Sequence, residues 1–210
     1  MRVNTEPKRA VSIASDATPA PSHWRRYRVL YLVLATCIAP VLASYAAYYL
    51  WPPSGSTNYG DLIQPQRPTG ALAATTLDAK PVSMSSLRGS WVMLHVAGAA
   101  CDEPCRRHLW QMRQVRATTG KDRDRVLRVW LVADGDVPDV ATLREFDGTI
   151  AWHAAAADLH AWLPTASGSL EDHIWLIDPL GNLMLRWPRD ADPNRMKKDL
   201  SRLLRASRIG

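Results

Sequence analysis

An uncharged run of 23 residues near the N-terminus constrains this chain more than any other feature. Residues 29–51, VLYLVLATCIAPVLASYAAYYLW, contain no Asp, Glu, Lys or Arg. About 20 consecutive apolar residues span the hydrocarbon core of a bilayer as a helix. The run is longer than the apolar core of a cleavable signal peptide, and it ends in bulky residues instead of a small-residue cleavage site. The sequence therefore predicts an uncleaved transmembrane helix that tolerates Pro40 within it.

Basic residues lie on the N-terminal side of this run. Residues 1–28 hold six Lys or Arg and two Asp or Glu, and the whole chain of 210 residues carries a net charge of +6. Arg25, Arg26 and Arg28 directly precede the run, and such residues favour the cytoplasmic side of a membrane. We expect a single-pass protein of the cytoplasmic (inner) membrane, with its N-terminus in the cytoplasm and its C-terminal domain in the periplasm. Because most of the excess charge flanks the membrane, no nucleic-acid partner is expected.

The remaining sequence divides by composition. Residues 1–28 are polar and rich in Ala, Ser, Thr and Pro, which predicts a disordered cytoplasmic tail. Residues 52–70 contain repeated Pro and Gly, which predicts a linker between the membrane and the folded part. Residues 71–210 are long enough for one domain of ordinary size.

Apolar strand patterns alternate with helical patterns in this last segment. The predicted strands lie at 72–77, 91–96, 126–133, around 150, 173–177 and 183–187, and the predicted helices at 102–117, 140–145, 155–162 and 193–204. Two apolar runs joined by a helix predict parallel strands with a right-handed crossover. A terminal hairpin and helix add antiparallel strands at one side. The fold class expected is α/β, a thioredoxin-like domain with a central mixed sheet flanked by helices.

Two cysteines lie where the strand at 91–96 meets the following helix. Sites in open α/β sheets occur at the carboxyl ends of strands, and Cys101 and Cys105 occupy such an end. They are too close in sequence to stabilise a fold by closing a large loop, so a chemical role is expected. We expect Cys101 at the helix start, where the helix dipole favours a thiolate. The pair can close a disulfide if the first helical turn is irregular. Cys37, inside the apolar run, is expected to be inert.

Three features together resemble the Sco/SenC branch of the thioredoxin superfamily, over roughly residues 60–205. They are the anchor-plus-domain layout, the Cys-x-x-x-Cys motif and the late hairpin HIWLIDPLGNLM. Members of that family are membrane-anchored proteins that deliver copper to the copper A centre of cytochrome c oxidase, or keep its cysteines reduced. The family motif is C-P-x-x-C-P, whereas here Asp102 and Arg106 follow the two cysteines. The sequence is therefore identified as a divergent member.

The resemblance implies a copper site, for Cu(I) or Cu(II), built from Cys101, Cys105 and a histidine. Thiolates with one imidazole suit Cu(I). The family's histidine would align near Leu170, and His173 is the nearest candidate for the third ligand. His108 is expected to be packed or solvent-facing on its helix. His95, inside a buried strand, is expected to be a core histidine with its hydrogen bonds satisfied.

The implied function is that of a cytochrome c oxidase assembly factor that handles copper or the thiol redox state of the copper site. The expected partners are an oxidase subunit or another copper or thiol assembly protein. One alternative is a general periplasmic thiol–disulfide oxidoreductase, with Cys101 attacking and Cys105 resolving. Another is a non-catalytic scaffold that keeps the fold without the chemistry. A peroxidase is a weaker alternative, because nothing marks a peroxidatic pocket. Phosphate-binding loops and the Gly-x-Ser-x-Gly elbow are absent from the sequence.

Overall fold

The computed structural model describes residues 23–50, 58–164, 168–207 and 209. The chain separates into two compact units, residues 1–55 and residues 56–210. We describe each unit by itself.

The first unit contains one long helix, α1, which runs from His23 to Leu50 and continues through Pro40. The segment Tyr27–Leu50 is long and apolar enough to cross a membrane, as the uncharged run predicts. Residues 1–22 of the predicted tail lie outside the described residues. Residues 23–28, which we expected in that tail, belong to α1, so the helix starts earlier than predicted.

The second unit is built on one mixed sheet, which has eight strands among the residues described. The strands are β1 Asp61–Pro68, β2 Ala73–Thr76, β3 Pro81–Ser83, β4 Trp91–Ala97, β5 Val126–Val132, β6 Ile150–His153, β7 Ile174–Ile177 and β8 Asn182–Trp187. The helices are α2 Glu103–Ala117, α3 Val140–Glu145, α4 Ala156–Trp162 and α5 Pro193–Ala206. The strand order is β1-β8-β7-β4-β5-β6-β2-β3.

Parallel pairing is confined to the centre of the sheet. β4 pairs with β5 and β5 with β6 in parallel, and α2 makes the crossover between the first two. β7 pairs antiparallel with the other side of β4 and forms the predicted hairpin with β8. This arrangement confirms the predicted α/β, thioredoxin-like fold class.

The sheet is covered on both faces. Side chains of α2 and α5 form one buried cluster with one face of the sheet, and side chains of α4 form a second cluster with the other face. Every residue of β4 is buried, as its almost wholly apolar pattern predicts. Four tryptophans expected in the core are indeed buried on strands: Trp91, Trp130, Trp175 and Trp187.

The predicted linker over residues 52–70 is wrong for residues 61–68, which form β1 at one edge of the sheet. Pro65 and Pro68 suggested irregular structure because proline cannot donate a ladder hydrogen bond. An edge strand tolerates proline, since one side of the strand has no neighbour. β1 pairs antiparallel with β8, and its register shifts between Leu62 and Arg67. The folded domain therefore begins before residue 71. Residues 51–57 lie outside the described part of the chain.

A buried carboxylate fixes the start of this domain. Asp199, on α5, is 1% exposed. Its carboxylate accepts hydrogen bonds from the backbone N–H groups of Tyr59 at 3.0 Å and Gly60 at 2.9 Å, and from Trp187 Nε1 at 3.2 Å. The segment before β1, strand β8 and helix α5 are thus joined at one carboxylate.

Candidate functional site

Cys101 and Cys105 lie at the junction of β4 and α2, but only one of them belongs to the helix. Asp102 is the N-cap of α2, and its Oδ1 accepts the backbone N–H of Cys105 at 3.1 Å. Cys101 therefore precedes the helix, with a left-handed backbone at φ 40°. The expectation that Cys101 starts the helix is wrong, because Asp is a strong N-cap residue and claims that position. The left-handed residue supplies the irregular turn that an i, i+4 disulfide requires.

The two cysteines are joined by a disulfide, with their Cα atoms 5.1 Å apart. Cys101 is 5% exposed and Cys105 is 3% exposed. Cys105 lies on the buried face of α2 together with His108, Leu109 and Met112. The sulfurs therefore belong to the core cluster under α2 while lining a cavity that opens beside them.

The loop that carries Cys101 is held to the end of β5. Asp134 Oδ2 accepts the backbone N–H of Ala99 at 2.8 Å, and Cys101 donates its own N–H to the Gly98 carbonyl at 3.2 Å. A Cβ at Gly98 would lie 2.6 Å from Asp134 Oδ2. Any larger residue at position 98 would require the Asp134 carboxylate to move. The position of the cysteines thus depends on a contact with the neighbouring strand.

A cavity of about 290 Å³ lies next to the disulfide. The loop after β4, the start of α2 and β4 itself form one side, and Glu171, Asp172 and Arg189 form the other. Arg189 Nε lies 3.2 Å from Asp172 Oδ1, so the one arginine of the lining is already paired. Burial raises the pKa of Glu171, and the negative charges of Asp102, Asp172 and Asp134 raise it further. The cavity lining therefore holds three carboxyl groups and one arginine.

His95, on β4, lines this same cavity and is 0% exposed. Its Nδ1 donates a hydrogen bond to the backbone carbonyl of His173 at 3.1 Å. Its Nε2 has no hydrogen-bond partner among the described residues. Burial, and then the nearby His108, lower the pKa of His95 to about 3, so the ring is neutral at physiological pH. The expectation of a fully satisfied core histidine is wrong for this nitrogen.

His108 and His173 complete a cluster of three buried histidines. The rings of His95 and His108 are 4.7 Å apart in an edge-to-face arrangement. His108 Nε2 donates to the carbonyl of Arg189 at 3.1 Å, and burial lowers the pKa of His108. His173 Nδ1 donates to the carbonyl of Trp187 at 3.0 Å. Since a carbonyl only accepts, the neutral form of each ring has its lone pair on the other nitrogen. Those nitrogens also have no partner in the described part of the chain.

The sequence-predicted ligand set is brought together only in part. Cys101 and Cys105 meet in one cavity wall, but His95 rather than His173 lines the cavity beside them. His173 is 9% exposed and follows the short 3-10 turn Leu170–Asp172. Among the described residues, no group of three or more His, Cys, Asp or Glu side chains is arranged to hold a metal ion. With its sulfurs in a disulfide, the pair must be reduced before thiolates can bind a metal.

A thioredoxin-like sheet with a disulfide after its central strand defines the class of this domain. The family model for the transmembrane-like, thioredoxin-like, C-terminal domain matches residues 91–207, and the chain belongs to that family. No curated protein matches the chain.

Solved structures of Sco proteins share the fold. Copper-bound yeast Sco1 is similar with a TM-score of 0.54 and 13% identity, over 73% of this chain and 96% of that one. Copper-bound ScoI of Arabidopsis thaliana is similar with a TM-score of 0.52 and 15% identity, over 71% of this chain and 99% of that one. Apo Sco1 of Thermus thermophilus is similar with a TM-score of 0.52 and 15% identity, over 73% of this chain and 98% of that one. The Sco resemblance of the sequence is thus confirmed at the level of fold, although the sequence identity to these structures is low.

Proposed function

We propose that this chain is a membrane-anchored cytochrome c oxidase assembly factor that controls the thiol redox state of a copper site through Cys101 and Cys105. The disulfide between these residues, which borders a cavity at the end of β4, carries the proposal. The Sco-like fold supports the choice of client. The alternative of a general periplasmic thiol–disulfide oxidoreductase uses the same two residues and differs only in the client.

The chemistry we propose is reduction of a client disulfide. The Cys101 thiolate attacks one client sulfur, the client S–S bond breaks, and a mixed disulfide forms while the first client thiolate leaves. The Cys105 thiolate then attacks Cys101 Sγ, closes the intramolecular disulfide and releases the second client thiolate. Two electrons pass from the cysteine pair to the client, and two protons end on the client thiols. A thiol donor outside the membrane must then reduce the pair again.

The proposed topology follows from charge and length. Helix α1 is the membrane anchor, and Arg25, Arg26 and Arg28 at its N-terminal end favour a cytoplasmic N-terminus. The domain that carries the cysteines then lies in the periplasm, where disulfides persist. The tail before α1 and a short linker between α1 and β1 complete the proposed organisation.

A trapping experiment tests this function. Full-length protein in detergent micelles, with Cys37→Ser to remove the exposed free cysteine of α1, is mixed with an oxidised peptide that carries the two cysteines of a copper A centre. Cys105→Ser is expected to accumulate a mixed disulfide, whereas Cys101→Ser, the matched control, forms none. Equal trapping of an unrelated disulfide peptide would favour the general oxidoreductase. No trapped species, with normal oxidase maturation in cells that carry the double Cys→Ser variant, would favour the non-catalytic scaffold.

Delivery of Cu(I) is a second candidate function, favoured by two soft sulfur donors and by three buried imidazole nitrogens that have no hydrogen-bond partner in the described part of the chain. The ligands we propose are Cys101, Cys105 and His173. Reduced full-length protein should bind about one Cu(I) per chain, and Cys101→Ser should abolish binding. His173→Ala is expected to weaken binding at least about tenfold, with the exposed His160→Ala as matched control. Equal affinity of His173→Ala and wild type would exclude His173, and the absence of any binding would exclude the function.

A further inference from the structure

We propose that His95 shifts the Cys101–Cys105 equilibrium towards the dithiol, by accepting a hydrogen bond that a thiol can donate and a disulfide cannot. This inference rests on the proposed thiol redox function. His95 acts through the cysteines and does not touch the client, so it is a positioning residue for the redox pair.

The tautomer of His95 leaves the required lone pair on Nε2. Nδ1 must carry a hydrogen, because it lies 3.1 Å from a carbonyl oxygen that can only accept. Nε2 is therefore an acceptor, and it is buried without a partner among the described residues. His95 lines the cavity that both cysteines line. A donor that forms a hydrogen bond with such a buried acceptor stabilises the state in which the bond forms.

Cys105 is the residue best placed to supply that donor. It lies one helical turn before His108 on the buried face of α2. The His108 ring is in edge contact with the His95 ring. Residues three apart on a helix are neighbours on one face, so the Cys105 side chain lies on the part of α2 that covers His95. The low pKa of His95 agrees with this role, because a neutral ring keeps its lone pair available.

Reduction creates the donor. Two electrons from an external thiol donor break the S–S bond, and two protons convert the sulfurs to S–H groups. In the disulfide neither sulfur carries a hydrogen, and Nε2 stays unsatisfied at the free-energy cost of a buried polar group without a partner. In the dithiol the Cys105 S–H can donate to Nε2. His95 therefore lets a thiol donor of modest reducing power regenerate the dithiol after each cycle.

The test compares the dithiol-to-disulfide ratio of variants at equilibrium with glutathione. Full-length Cys37→Ser protein in micelles is equilibrated with mixtures of reduced and oxidised glutathione, and alkylation mass shifts give the ratio. At a fixed mixture, His95→Leu is expected to lower the ratio roughly three- to tenfold, the size of one hydrogen bond. His95→Gln keeps an acceptor and should lie nearer wild type. His153→Leu is the matched control, because its buried Nδ1 also has no partner in the described residues and it lies outside the cavity lining.

The outcomes separate this inference from the function on which it rests. If His95→Leu and wild type give the same ratio, the inference is overturned and the redox function stands. A pair that never exchanges with glutathione overturns both. A second measurement needs no substitution: on reduction of the Cys37→Ser protein, the ¹⁵N resonance of His95 Nε2 should move in the direction of hydrogen-bond acceptance. An unchanged resonance overturns the inference even if His95→Leu does not fold.

Discussion

Gly98 lies so close to Asp134 that a Cβ at residue 98 would be 2.6 Å from Asp134 Oδ2. The same oxygen accepts the N–H of Ala99 at 2.8 Å. The loop after β4 therefore packs directly against the side chain of Asp134, two residues after the end of β5. Because the Cys101–Cys105 disulfide follows directly on this loop, the contact links strand packing to the position of Cys101.

We predict that Gly98→Ala destabilises the domain by about 1–3 kcal/mol, because an added methyl group must displace the carboxylate that holds the loop. Urea unfolding of the full-length protein in micelles, followed by tryptophan fluorescence, measures the change. Gly70→Ala is the matched control, because a Cβ at Gly70 meets nothing within 4 Å. Equal losses in the two variants would contradict the assigned contact.

Two substitutions of Asp102 should separate its charge from its capping hydrogen bond. Asp102→Asn keeps an oxygen that can cap α2 but removes an anion beside the cysteines. It should leave stability nearly unchanged and lower the pKa of the Cys101 thiol in the reduced protein, because a negative charge beside the thiolate is removed. Asp102→Ala loses the cap as well and should cost about 1 kcal/mol of stability. The pH dependence of alkylation by iodoacetamide measures the thiol, and urea unfolding measures the cap. A thiol pKa that is the same in Asp102→Asn and wild type would show that this carboxylate does not act on Cys101.

Substitution of the buried Asp199 by alanine should strongly destabilise the domain. It leaves the N–H groups of Tyr59, Gly60 and Trp187 without their acceptor, and truncating one side of buried charged hydrogen bonds costs about 3 kcal/mol or more. Thermal unfolding measures the effect. The control is Asp190→Ala, an exposed aspartate, which should change stability by less than about 0.5 kcal/mol. Similar losses at both positions would argue against the proposed role of Asp199.

The buried histidines predict loss of stability in mild acid. The pKa of His95 is lowered in the folded state to about 3, from an ordinary value of 6.5. The unfolded chain therefore binds a proton at His95 below about pH 6.5 that the folded chain refuses, and stability falls as the pH drops from 6.5 towards 3. The contribution reaches about 1.4 kcal/mol per pH unit for one such group. His108, whose pKa is also lowered, acts in the same direction.

Urea unfolding at pH 7, 6 and 5 measures this dependence, and His95→Leu should be less acid-sensitive than wild type. His160→Leu, an exposed histidine, should keep the wild-type slope. If His95→Leu has the same slope as wild type, the folded state accommodates a charged His95, contrary to its burial.

Much of the fold can be predicted because its strongest patterns are local. The helix predicted at 140–145 is α3 itself, and the strand predicted at 91–96 is one residue shorter than β4. Both patterns depend on neighbouring residues in the chain. β1 was missed because its stability comes from β8, more than a hundred residues later, and its two prolines outweigh its few apolar residues locally.

The candidate site could be predicted only as far as its cysteines. Their place at the end of a strand follows from the sequence, but the left-handed turn at Cys101 depends on how Asp102 caps α2. His95 carried a signal that sequence reasoning undervalued: it is the one polar residue in an otherwise apolar run. Its place in the cavity lining follows from the packing of α2 and could not be predicted from residue spacing. Asp199 similarly interrupts the apolar stripe of α5, but the neighbouring sequence does not show which N–H groups donate hydrogen bonds to it.

The positive φ of Cys101 has a consequence for the stability of the loop that carries it. A side chain in the left-handed region costs roughly 1–2 kcal/mol relative to glycine. The disulfide with Cys105 therefore forms at a backbone cost that a glycine at residue 101 would avoid.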